Sequence, residues 1–211
     1  GNSGSTGTAE FDGNGSGDTL AVDGVSYTFP LGDKTTVIVG DNTDGSALFT
    51  TACAYGGPSN TLDDCGNVNA GITNGGAMVG AAYDFGTGFT AAVGYAGPET
   101  GVMTEESMDA YGINAAYTGD NYGVSLTYGV LETSTTEEDT FTALNGYYTP
   151  EGFPSISVGY EIGEDGSVSG TADSLESFFL GLTWDEIGPG SAGIAFGTKT
   201  PTVEDTDEQY M

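Results

Sequence analysis

Side chains of alternating size and polarity recur along this chain with a period of two. From Phe89, the odd positions Phe89, Ala91, Val93 and Tyr95 are apolar, while Thr90, Ala92, Gly94 and Ala96 are small. The scheme returns at Tyr111, Ile113, Ala115 and Tyr117 against Gly112, Asn114, Ala116 and Thr118. It returns again at Tyr122, Val124, Leu126, Tyr128 and Val130 against Gly123, Ser125, Thr127 and Gly129. A period of two puts successive side chains on opposite faces of a strand, so each segment has one greasy face and one small, polar face. With 37 glycines among 211 residues and few strong helix formers, strand is the default throughout and the fold class is all-β.

Ten such segments are predicted, near 19–29, 34–40, 77–85, 89–97, 108–118, 122–132, 141–149, 155–162, 175–185 and 191–199. Their length suits a tilted strand crossing a bilayer. Connections alternate between short (30–33, 86–88, 119–121, 150–154, 186–190) and long (41–76, 98–107, 133–140, 163–174 and the tail after 200). Outer-membrane barrels have short turns at one end and longer loops at the other. Aromatic residues cluster near both ends: Phe29, Phe85, Phe89, Tyr117, Tyr122, Phe153 and Trp184 near the short turns, and Tyr95, Tyr111, Tyr128, Phe141, Tyr160 and Phe178 near the long loops. Two such belts match the girdles that amphipathic rings form at membrane–water interfaces. The expected architecture is an antiparallel transmembrane β-barrel in the cell outer membrane, with outer-membrane lipid against its greasy face. The whole of 1–211 is read as one partial barrel domain.

Two basic residues stand against 31 acidic ones, a formal charge of -29. That balance argues against nucleic acid as a partner and makes cations the natural small ones. Most acids fall on the long-loop side, including Glu105, Glu106, Glu137, Glu138, Asp139, Glu164 and Asp165, which are read as external-loop residues. Within strands, Asp84 and Glu161 fall at the small, polar parity and are candidate pore-lining carboxylates, and Lys199 falls at the same inward parity. A lipid-facing carboxylate near the midplane would cost a few kcal/mol, roughly 2–4 for a charged side chain, so a barrel needs such groups on its water side. An acidic rim concentrates cations over about a Debye length, and the pore is expected to prefer them. Acids in loops also serve simply to keep them soluble in a salty habitat.

Cys53 and Cys65 lie in one Gly/Asn/Asp-rich segment. An even pair there suits a disulfide made in an oxidising compartment, with two free thiols the alternative. The chain has no histidine, so serine and cysteine nucleophiles lack their usual base and His-containing zinc sites are ruled out. No Walker loop is present. Asp12, Asn14, Ser16 and Gly17 faintly resemble a calcium loop, but Asp23 stands where glutamate is expected. Neither an enzymatic activity nor a cofactor is expected.

At Tyr27 to Gly40, YTFPLGDKTTVIVG, the sequence resembles cyanobacterial outer-membrane porins of the Som type, grouped with the carbohydrate-selective porin (OprB) family. FDGNGSGDTLAVDGVS before it and GAAYDFGTGFTAAVGYAG after it are similar too, and the resemblance runs from about Phe11 onward. It implies a barrel of about sixteen strands, a homotrimer, and passive transport of inorganic ions and small hydrophilic solutes, with carbohydrates or iron among the cargoes. The family carries an S-layer homology region before the barrel and a closing strand after it. Neither is found here, so the chain is expected to be an internal piece of a longer protein. The reading from another class is a secreted, acidic, β-rich surface or adhesin-like protein.

Overall fold

The computed structural model describes residues 24–56, 62–72, 76–99, 104, 108–134, 137–164, 166, 174–198 and 209–210. They form one antiparallel sheet with strands in sequence order: β1 (Val25–Leu31), β2 (Thr35–Asp41), β3 (Ala77–Asp84), β4 (Phe89–Gly97), β5 (Ala110–Thr118), β6 (Tyr122–Ser134), β7 (Glu137–Tyr148), β8 (Ser155–Glu164), β9 (Ser174–Ile187), β10 (Gly190–Thr198) and a short β11 (Gln209–Tyr210). Every strand pairs with its neighbours in the chain, and the described residues contain no helix. The first and last strands are not paired with each other, so the sheet is open. Pro30, which has no N–H to donate, is tolerated in β1 because that strand pairs on one side only.

Short turns use backbone conformations that glycine accepts most readily. Gly32 has φ 77°, and Gly86 and Gly88 have φ 80° and 84°. The register that follows keeps the sequence alternation intact. Val93 faces Ile113, Ile113 faces Tyr128, and Leu126 faces Leu144, which in turn faces Tyr160. All of these lie on one face, which is exposed from β2 to β10: Val39, Val79, Val93, Ile113, Leu126, Leu144, Val158, Leu180 and Ile194 are all solvent-accessible there.

The core lies on the other face, between the sheet and residues 42–56 and 62–72 of the connection that follows β2. Ile72 of that connection packs with Ile38, Met78, Ala96 and Ala110. Ala70 packs with Phe141 and Ala143, while Leu62 and Cys65 pack with Phe179 and Ala195. The small residues on this face therefore make room for a loop. A Cβ on Gly94 would collide with the Gly45 carbonyl oxygen, and one on Gly129 would come within 2.9 Å of the Ala70 carbonyl oxygen.

The structure departs from the sequence expectation at several connections, with Pro30 and Leu31 in β1, Glu164 in β8 and Glu186 and Ile187 in β9, and departs most at one. The stretch 133–140 was expected to be a long loop, yet β6 runs to Ser134 and β7 starts at Glu137. Glu137, Glu138 and Asp139 are strand residues, with Glu138 opposite Glu132 and Asp139 opposite Leu131. Backbone pairing continues there although both faces are polar, and threonine is comfortable in extended backbone. Like charges directly opposite each other weaken the hairpin end without breaking it.

Candidate functional site: a loop docked on the small-residue face

The described parts of the connection between β2 and β3, residues 42–56, 62–72 and 76, lie across the sheet in an outgoing and a returning limb. The two limbs start side by side, with Asn42 N donating to Gly76 O at 2.8 Å and Gly45 N to Ile72 O at 2.8 Å. The outgoing limb then gives alternate backbone N–H groups to side chains of β5, β6 and β8. Thr50 N donates to Asn114 Oδ1 on β5 (2.9 Å), Ala52 N to Ser125 Oγ on β6 (2.8 Å) and Ala54 N to Ser157 Oγ on β8 (2.9 Å). Asn114 returns a bond from Nδ2 to Thr50 O at 3.0 Å. Beyond it, the Tyr55 ring meets Phe179 of β9 edge-on at 5.3 Å.

The returning limb is anchored at two places. Asn145 Nδ2 of β7 donates to Cys65 O at 2.7 Å. Glu161 of β8 accepts from Asn69 N (2.9 Å to Oε2), Asn69 Nδ2 (2.9 Å to Oε1) and Ala70 N (2.9 Å to Oε2). Glu161 is only 1 % exposed. A buried carboxylate is tolerable only when hydrogen-bonded, and each bond to a charged group contributes about 1.5–3 kcal/mol. A disulfide between Cys53 and Cys65 joins the two limbs near their far end.

The sequence candidates are dispersed. Asp84 ends β3 beside a short turn, exposed, its Oδ1 accepting the Gly86 N–H at 2.7 Å. It stands five strands from Glu161, and the structure does not bring the two together. Glu164 is the last residue of β8, exposed and on the open face rather than in a loop. Asp139 accepts the Gly166 N–H at 3.0 Å. Lys199, Glu105, Glu106 and Asp165 lie outside the described residues, as do Asp12, Asn14, Ser16, Gly17 and Asp23. Among the described residues no cluster of His, Cys, Asp or Glu could hold a metal ion.

Sequence reasoning missed the anchors Asn114, Ser125, Asn145 and Ser157. Their signal was present as amides and hydroxyls at the small-residue parity of neighbouring strands, and the alternation assigns them a face without saying what covers it.

Aromatic residues mark both ends of the open face. Phe89 and Tyr117 have ring centroids 4.7 Å apart and Tyr117 and Tyr122 5.4 Å apart at the short-turn end, while Phe178 and Phe196 are 5.6 Å apart toward the other. No family model matches the chain, and no curated protein was found to match it.

Proposed function

We propose that this chain forms part of the wall of an outer-membrane β-barrel porin, a passive, water-filled channel for inorganic ions and small hydrophilic solutes. The observation that carries this reading is the open face: large apolar side chains exposed on nine consecutive strands, β2 to β10, edged by aromatics. Soluble monomers rarely expose a contiguous apolar patch of more than roughly 300–600 Å², and hydrocarbon is the medium that suits such a surface. The opposite face mixes small apolar residues, covered by the docked loop, with the polar side chains Asn114, Ser125, Asn145, Ser157 and Glu161, and on this reading the loop narrows a water-filled passage beside it. Closure of the sheet by further strands, a trimeric assembly and membership of the carbohydrate-selective porin family belong to the same proposal. So do carbohydrates or iron as cargo and a preference for cations.

The test is single-channel conductance of the protein in planar bilayers under a salt gradient. Discrete steps with a cation-selective reversal potential are expected. Folded, membrane-inserted protein that conducts nothing would overturn the reading and favour an acidic surface protein.

A further inference from the structure

We infer that Glu161 is a positioning residue for the channel's constriction: its carboxylate holds the returning limb of the loop against the wall and thereby sets the size of solute that passes. This rests on the pore reading above and assigns Glu161 a different role from that of a charge lining the lumen.

Three observations converge on it. The first is burial. At 1 % exposure, the carboxylate is roofed by the loop, whose Ala70 packs with Phe141 and Ala143 beside it, and Ala143 is the cross-strand neighbour of Glu161. A permeating ion has no access to it, whereas Asp84 is open to water.

The second is the match between what the loop offers and what a carboxylate accepts. On the outgoing limb, each wall side chain meets one backbone N–H, and a hydroxyl or an amide oxygen suffices. On the returning limb, two successive backbone N–H groups and the Asn69 side-chain amide converge on one place. A carboxylate, with two acceptor oxygens and no donor of its own, satisfies all three without any of the loop groups turning.

The third is position. Asn145 is a second wall side chain that anchors this limb, holding Cys65 near the far end. The stretch from Gly66 to Ile72 crosses back with Glu161 as its polar attachment to β8. Releasing it frees the limb toward the lumen between the disulfide and the Gly45–Ile72 bond.

The test compares wild type, Glu161→Ala and Glu161→Gln in planar bilayers. It reads unitary conductance, reversal potential, and the cut-off for exclusion of polyethylene glycols of graded size. Glu161→Ala is expected to shift conductance to a higher, noisier level and the cut-off to a different size, leaving the reversal potential unchanged. Glu161→Gln is expected to stay near wild type. Its single oxygen can take the Oε2 position facing Asn69 N and Ala70 N, and the Asn69 amide can turn its own oxygen to the new NH₂.

If Ala and Gln both lose cation preference at unchanged conductance and cut-off, Glu161 acts as a lumen charge and the inference falls. It also falls if Glu161→Ala matches wild type in all three readouts. A wild-type protein that forms no channel defeats the pore reading instead. Should Glu161→Ala fail to fold, Asn69→Ala removes the Nδ2 donor from the loop side, and a cut-off unchanged in that variant overturns the inference.

Discussion

Gly159 lies on the loop face of β8, opposite Asn145 on one side and Phe179 on the other. A Cβ there would collide with the Cys65 carbonyl oxygen and come within 2.7 Å of Asn145 Nδ2. Neither neighbour can move freely: the carbonyl belongs to a disulfide-bonded residue, and the Asn145 amide is its hydrogen-bond partner. Overpacking of this kind costs about 1–3 kcal/mol. Gly159→Ala is expected to lift the loop locally, seen by mass spectrometry as faster amide hydrogen exchange in 62–72 with the strands unchanged. Gly146 is the control. It sits on the open face, and a Cβ would meet only the Gly123 carbonyl oxygen at 3.4 Å, an ordinary contact. Gly146→Ala is expected to leave exchange as it was. At this scale the sequence was half legible. Alternation gave Gly159 its face, but the need for glycine there arises from a chain segment about 90 residues earlier, which no local pattern encodes.

At the scale of elements, the strands were the most legible part, because a period of two is written wherever the two faces of a strand meet different surroundings. The signal faded where both faces meet water. Around Glu132, Glu137 and Glu138 both parities are polar, so a paired hairpin end has the composition of a loop. It also carried no information about the connection after β2, whose irregular backbone at 42–56 and 62–72 is held by wall side chains rather than by its own pattern. Glu161 illustrates the consequence. Its parity is that of the small-residue face, and the loop covers it. The disulfide adds a constraint that depends on spacing alone: Cys53 and Cys65 are 12 residues apart. Cross-linking a loop of about this size contributes roughly 3 kcal/mol by chain entropy. The Cys53→Ser, Cys65→Ser double variant is therefore expected to lower protection of the Ala52, Ala54, Asn69 and Ala70 amides by up to about 100-fold, the factor equivalent to that free energy. Strand amides in β4–β9 should keep theirs, since the sheet's ladder is independent of the bridge. Simultaneous loss in loop and strands would mean that the docked loop is needed for the sheet itself.

For the molecule as a whole, a formal charge of -29 makes cation preference easy to expect and hard to locate. Two sets of carboxylates compete. One lies toward the long-loop ends of the strands, at Glu132, Glu138, Glu164 and Glu176; the other is the loop's far turn, at Asp63 and Asp64. Glu161 belongs to neither, because it is buried and its oxygens are taken by loop N–H groups. Distance separates the two sets. The screening length is about 10 Å at 0.1 M salt and about 3 Å at 1 M, so a rim acts on a passing ion only in dilute salt. On the proposed pore reading, charges on the docked loop act at closer range and resist screening. Reversal potentials measured with the same concentration ratio at low and high mean salt therefore distinguish them. On the proposed pore reading, with four of these six carboxylates toward the strand ends, the expected outcome is marked cation preference at 0.1 M that largely disappears near 1 M. Preference that persists at 1 M would assign selection to Asp63 and Asp64, and Asp63→Asn with Asp64→Asn should then abolish it while Glu138→Gln leaves it intact.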